Sequence, residues 1–268
     1  MAKKSAKKQA APAASDRQAK IQAAAKANAP GPNKILIGTV VALVAIIAVV
    51  AGVIIADQSN RSTDSDSASS SSSVPANAEG MGKGFVANEG VTLVEGAPTL
   101  EIYEDFRCPH CHNAYAVFND TVTELAEAGK IQLVYQFKTV IDSNSGGDAS
   151  LKAASSAMCA ADAGKFDEYH SAIFSGIVNA GGQQPSWGND FFIAKAEEVG
   201  MTGAELETFE TCVSGGTYDA YIRSTEQQSI RDGVNGTPVY KLNGTTLDLG
   251  AVNSPAALLA AVEAATGA

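Results

Sequence analysis

The sequence predicts an α/β fold carried behind a single N-terminal transmembrane helix. Three observations predict it. Ile35–Ala56 is an apolar run without a charge. Further on, a strand–helix–strand pattern sets Cys108-Pro109-His110-Cys111 where the strand gives way to the helix. A long block of helical periodicity then separates this unit from two short strands and a last helix. The order is βαβ, a helical block, then ββα, and no internal repeat is visible.

The 268 residues suit one sizeable domain with appendages. The net charge of −10 conceals a split. Residues 1–34 hold eight Lys or Arg against the single Asp16, and the remainder holds eleven basic and twenty-eight acidic residues. Ile35–Ala56, twenty-two residues long, would span roughly 33 Å as a helix, enough for a hydrocarbon core of about 30 Å. A buried core helix would show an amphipathic pattern, and this run shows none. A cleaved signal peptide would carry a shorter apolar region, about 7–15 residues, ending at a small-x-small site. Ile54-Ile55-Ala56-Asp57 is a poor one. An uncleaved, single-pass anchor in the cell membrane is expected, with lipid around residues 35–56. Lysines before the span and acids after it put residues 1–34 in the cytoplasm and 57–268 outside. A basic tail alone would suggest nucleic acid; ahead of an anchor it does not, and no nucleic-acid partner is expected.

Residues 57–84 are Ser-rich and nearly free of large apolar groups, so they cannot offset their own ordering entropy. They read as a flexible tether with a reach on the order of 30 Å. The folded domain is expected over 85–268. Val91–Val94 and Thr99–Asp105 look like strands. Cys111, Tyr115, Phe118, Val122 and Leu125 step by four, three, four and three, which is one helix face. Pro109 suits the first helical position and Gly129 the C-terminal cap. Ile131, Leu133, Tyr135 and Phe137 alternate as a strand does. A helical insertion is expected at about 140–232, with helices at 148–163, 165–176, 190–199, 203–214 and 217–232. Strands return at Pro238–Leu242 and Thr245–Leu249 around an Asn243-Gly244 hairpin signal. Ser254 and Pro255 begin the last helix as N-cap and first residue.

Four cysteines in an extracytoplasmic domain suggest oxidising chemistry. The spacing of Cys108 and Cys111 makes them partners, which leaves Cys159 with Cys212 as a structural disulfide; the alternative is two unrelated buried thiols. Cys108 would face the positive end of a helix dipole and free backbone N–H groups, with Arg107 and His110 adjacent. Such surroundings stabilise the thiolate, hence the reduced form, and make the disulfide an oxidant of other thiols. Cys111, one turn into the helix on its apolar face, is expected to be buried until it attacks a mixed disulfide. Zinc requires four ligands, and the remaining candidates, Cys159, Cys212 and His170, are isolated; no metal is expected. Cys108-Pro-His-Cys111-His112 also matches C-x-x-C-H for haem attachment. Haem would not call for a βαβ sheet, and His112 reads as a solvated helix residue.

The residues now on the page, CPHC after a strand, a helical insertion and Gly236-Thr237-Pro238 before the returning strand, resemble the DsbA family of thioredoxin-fold oxidases. The resemblance covers about residues 85–266. The anchor, the tether and the second cysteine pair are most similar to its membrane-anchored actinobacterial, MdbA-like members. It implies a thioredoxin fold with an inserted helical domain. By the same resemblance Cys108 is the nucleophile, Cys111 the resolving cysteine and Pro238 a cis-proline beside them, with Pro109, His110 and Thr237 as supporting neighbours. The family commonly has a buried acid six residues before the first cysteine; here that position is Ile102. Glu101 lies on the opposite pleat face, whereas Glu104 shares the face of Ile102 and is the candidate proton relay to Cys111. Its alternative is a solvated strand-end acid.

These readings converge on a membrane-tethered extracytoplasmic thiol–disulfide oxidase. It needs no cofactor beyond its redox-active disulfide. Its expected partners are unfolded exported proteins with reduced cysteines and a membrane reoxidant of VKOR-like or DsbB-like type. The alternatives are a reductase or isomerase on the same fold, and a tethered haem-c electron carrier.

Overall fold

Thr99–Glu104 forms β2, the strand about which the sheet is built. In this computed structural model, which describes residues 73–181 and 184–267, β2 is hydrogen-bonded along both edges. On one side runs β3 (Gln132–Phe137), parallel; on the other runs β4 (Val239–Leu242), antiparallel. Two short strands complete the edges. β1 (Phe85–Val86) lies antiparallel to β3, β5 (Thr245–Thr246) antiparallel to β4, and the order is β1-β3-β2-β4-β5. The register pairs Ile102 with both Tyr135 and Tyr240. Partners in register point to one face, so Ile102, Glu104, Tyr135, Phe137 and Tyr240 share a surface.

A parallel pair needs a crossover, and α1 (Pro109–Glu127) supplies it. Its buried Cys111, Phe118, Val122 and Leu125 are the face expected from periodicity. Phe118 meets Tyr240 at 5.7 Å between ring centroids, so α1 covers the face carrying Ile102 and Glu104. The helix ends in a turn at Gly129, whose φ is 66°. A Cβ there would lie 2.2 Å from the Thr92 carbonyl oxygen, so only glycine allows this close approach.

Between β3 and β4 come α2 (Val140–Ser145), α3 (Ala149–Asp162), α4 (Phe166–Asn179), α5 (Asn189–Glu198), α6 (Gly203–Gly215) and α7 (Asp219–Arg231). The helices from α3 onward fall within two or three residues of their expected bounds. They pack on one another, and α7 also packs along β3, where Thr225 Oγ1 donates to the Phe137 carbonyl at 2.9 Å. The α2 helix was not expected as a separate element: it buries no side chain and leaves no periodic trace. After β4 the chain turns at Asn243 and Gly244, both at positive φ, as the hairpin signal requires. The last helix, α8 (Pro255–Ala265), starts with Ser254 Oγ accepting the Ala257 N–H at 3.3 Å.

Four expectations need correction. Val91–Val94 is not a strand. Phe85–Val86 already occupies the edge of β3, and Leu93 and Val94 are left exposed with no face to bury. Asp105 ends outside β2, because its side chain organises the turn that follows. The strand expected to reach Leu249 stops at Thr246, where Asp248 folds the chain back by accepting the Gly250 N–H at 2.9 Å. Residues 73–84, read as part of the tether, pack on the domain: Gly82 N–H donates to Ser224 Oγ at 2.7 Å and Tyr221 donates to the Lys83 carbonyl at 2.8 Å. Few apolar groups suffice there because backbone hydrogen bonds to α7 supplement Val74 and Ala78. The basic tail, the anchor at 35–56 and residues 57–72 lie outside the described residues. Among the described residues no helix is long and apolar enough to cross a membrane.

Candidate active site

The turn from β2 into α1 is built by Asp105, fully buried. Its Oδ1 accepts the Arg107 N–H at 2.9 Å, an Asx-turn, and its carbonyl accepts the Cys108 N–H, also at 2.9 Å. Oδ2 reaches across to the Ile141 N–H of α2 at 2.9 Å. Cys108 therefore becomes the N-cap of α1 in an extended conformation, with Pro109 in the first turn, where its missing N–H costs nothing. From the other edge of β2, β4 brings in the loop containing Thr237 and Pro238, joined by a cis peptide. The Cys108 thiol faces the Thr237 carbonyl at 3.6 Å.

Cys108 and Cys111 are free thiols, both buried. The Cys108 pKa is lowered to about 5. The largest cause is the hydrogen bond from the Cys111 thiol, which outweighs the opposing cost of burial. The Thr237 side chain and the backbone N–H groups of Cys111 and His110 add to it. Cys111 is pushed the other way: burial raises its pKa far above the ordinary thiol range, and a charged Cys108 beside it raises it further. One sulfur is held ready as a thiolate and the other is kept protonated.

The neighbours differ from expectation in three ways. Pro109 and His110 are exposed, and what His110 gives the sulfur is its backbone N–H, not its ring. Arg107 is not among the groups that lower the Cys108 pKa. Its buried guanidinium pairs with Asp142 at 2.8 Å and with the Gly146 carbonyl at 3.2 Å, tying α2 to the turn. His112 is not solvated; it is half-buried, edge-on to Phe174 at 6.3 Å. Cys111, 2% exposed, packs in the core, whereas haem attachment through C-x-x-C-H needs both sulfurs open to the ring.

Glu104 is buried rather than solvated, and its Oε1 lies 2.5 Å from His170 Nε2 on α4. Sequence reasoning took His170 only as an isolated metal-ligand candidate and missed its pairing with Glu104, because nothing local links it to a residue 66 positions away. It also missed Asp105, whose Asx-turn signal was there to be read. Cys159 on α3 and Cys212 on α6 form a disulfide, 53 positions apart in sequence. A recess of about 210 Å³ opens beside Cys108, walled by Phe106, Pro109, Ile177 and Val178.

The family model described as "Thioredoxin" matches residues 95–264. The reduced form of a disulfide bond oxidoreductase (DsbG) from Mycobacterium tuberculosis is 27% identical, with a TM-score of 0.54 over 67% of this chain and 85% of its own. Oxidised DsbA from the same organism is also 27% identical, with a TM-score of 0.54 over 67% and 90%. MdbA from Corynebacterium diphtheriae, a thiol-disulfide oxidoreductase, is 23% identical with a TM-score of 0.55 over 76% and 98%, a likeness of fold. No curated protein matches the chain.

Proposed function

The chain belongs to the thioredoxin family and is a DsbA-like thiol–disulfide oxidoreductase; from that premise we propose that it works as an oxidase, introducing disulfides into exported proteins through Cys108 and Cys111. The observation that carries this direction is the opposed behaviour of the two thiols, Cys108 lowered to about 5 and Cys111 raised by burial. A stabilised thiolate makes the reduced enzyme the favoured product, so the disulfide tends to accept electrons.

In the oxidised enzyme a substrate thiolate attacks Cys108 Sγ. The Cys108–Cys111 bond breaks, and its electron pair leaves on Cys111, which takes a proton. A second substrate thiolate then attacks the substrate sulfur of the mixed disulfide, and Cys108 departs as thiolate. Two electrons have passed from substrate to enzyme. Thr237 and Pro238 border the sulfur, and the Thr237 carbonyl offers a substrate backbone an acceptor. Glu104, on the sheet face under α1, is the acid assigned to exchange the Cys111 proton. The Cys159–Cys212 disulfide braces the helical insertion and takes no part in the transfer.

The anchor at 35–56 tethers the domain at the outer face of the cell membrane, where unfolded chains with reduced cysteines emerge. A membrane reoxidant of VKOR-like or DsbB-like type takes the two electrons from the dithiol. The apolar run, the charge asymmetry around it and the Ser-rich stretch support this topology. Equilibration of the Cys108–Cys111 pair with glutathione tests the direction of flow. A potential well above the roughly −270 mV of thioredoxin is expected; a value that low would make the protein a reductase.

A further inference from the structure

Among the described residues, three ion pairs have a buried cationic or imidazole partner, and one differs from the others. In Arg107–Asp142 and Lys138–Glu226 the carboxylate also holds backbone N–H groups, so each pair fastens segments together. Among the described residues, the side chains of Glu104 and His170 hydrogen-bond only each other. A buried pair with no further partners is costly to keep for stability alone. The His170 ring is fixed by aromatic neighbours on several sides, with Tyr135 at 4.9 Å, Phe174 at 5.0 Å, Phe106 at 5.1 Å, Tyr115 at 5.2 Å and Phe166 at 5.4 Å between centroids.

Behind this ring lies a cavity of about 180 Å³ that reaches His170 and Tyr135 from the surface. Tyr115, Asn119, Thr123 and Asp167 are among its walls, so it is polar and has room for several waters. It shares no wall with the recess beside Cys108. Asp167 lies one helical turn before His170, and burial raises its carboxyl pKa. On the inner side, Cys111 Sγ receives the Asp105 N–H, next to Glu104 in the chain. Tyr240 senses the charges of both Cys111 and Glu104. Cys111, Glu104, His170 and the cavity therefore follow one another across the α1 face of the sheet.

We propose that His170 and the cavity behind it form the outer half of a proton path that serves Cys111 through Glu104. The inference rests on the oxidoreductase reading above. A polypeptide joined to Cys108 covers that end of α1, so the resolving sulfur needs a route to water that the substrate does not block. When the Cys108–Cys111 bond breaks, Cys111 leaves as thiolate and takes the Glu104 proton. Glu104 recovers one from His170 Nε2, and the ring recovers one from cavity water. In sum, the disulfide, two substrate thiolates and one proton give the Cys108 thiolate, the Cys111 thiol and a substrate disulfide. Reoxidation runs the same path outward. The titratable groups around the ring and its cavity are Glu104 from β2, Tyr115 and Glu127 from α1, Tyr135 from β3, Asp167 from its own helix, and Glu89 from the loop after β1.

Chemical rescue tests the path. In the full-length chain, His170→Gly leaves space for an added azole. Single-turnover oxidation of a reduced peptide is expected to slow roughly 10²-fold, the usual scale for a lost proton-transfer group. Imidazole should restore the rate in proportion to its concentration, whereas pyrazole, equal in shape but far less basic, should not. Equal rescue by both azoles, or an undiminished rate in the folded variant, would overturn the proposal and leave a packing role. If His170→Gly does not fold, Asn119→Leu, which narrows the cavity without touching the pair, carries the test. A slower turnover with a larger solvent isotope effect supports the path, and an unchanged rate overturns it. A wild-type chain that oxidises no peptide would instead remove the oxidase reading itself.

Discussion

The chain holds two cysteine pairs of opposite chemistry. Cys108 and Cys111 lie three residues apart at the start of α1 as free thiols, while Cys159 and Cys212 lie 53 apart, inside α3 and α6, as a disulfide. Burial does not explain the contrast, since Cys108, Cys111 and Cys159 are all within 5% exposure and Cys212 is the half-buried one. The difference is what each sulfur finds when reduced. At the N-cap of α1, backbone N–H groups are unspent, and they stabilise a thiolate at Cys108. In helix interiors those groups are committed to carbonyls one turn back, so a thiolate at Cys159 would gain nothing from them. The first pair is easy to reduce because its reduced form is cared for; the second has only the constraint it places on the chain.

The comparison breaks most visibly at Cys108. Cys108→Ser is expected to abolish peptide oxidation and to trap no substrate. Cys111→Ser should accumulate mixed disulfides through Cys108, visible as reducible high-mass bands on non-reducing gels. Trapping through Cys111 in the first variant would reverse the roles. Next in size is the Cys159→Ser, Cys212→Ser double variant. Closing a loop of this length is worth about 4 kcal/mol in the chain-entropy model, so denaturant unfolding should show a loss of that order while Cys108 keeps its reactivity. Equal stability would mean the bond merely joins helices already fixed by packing.

A third outcome is read by pH. The Cys108 pKa falls from the ordinary thiol value of about 8.5 to about 5 in the folded dithiol. A lowered pKa stabilises the folded reduced form fully above the unfolded value, and the gain is lost as pH falls through the folded one. The reduced protein should therefore lose stability relative to the oxidised protein between about pH 8.5 and 5, as measured by urea unfolding of the two forms. A pH-independent difference would mean no thiolate is stabilised. The Cys159–Cys212 bond does not titrate and should add nothing to this profile. The smallest effect is expected from His110→Ala. The variant keeps the N–H that reaches Cys108 and removes only an exposed ring, so the thiolate should change by no more than about 1 kcal/mol, the range for exposed charges. A large rise in the ultraviolet titration midpoint of the thiolate would give the ring a direct role.

The sequence by itself determined the parts whose causes are local. Pro109 after a strand, the four-three spacing from Cys111 to Leu125, the Asn243-Gly244 turn and the Ser254 cap each act within a few residues, and each lies in the structure where it was expected. Those signals also located CPHC at the junction that makes Cys108 an N-cap. Tertiary structure alone decided the rest. Val91–Val94 has a strand's composition but found no free edge, because Phe85–Val86 had taken the side of β3. Arg107 follows Asp105 closely yet turns to Asp142, since a buried guanidinium goes where a carboxylate can neutralise it. The Thr237 carbonyl meets Cys108 across 129 residues and His170 meets Glu104 across 66. Periodicity and capping act over one or two helical turns, whereas these meetings depend on how a whole helical insertion packs back against the sheet.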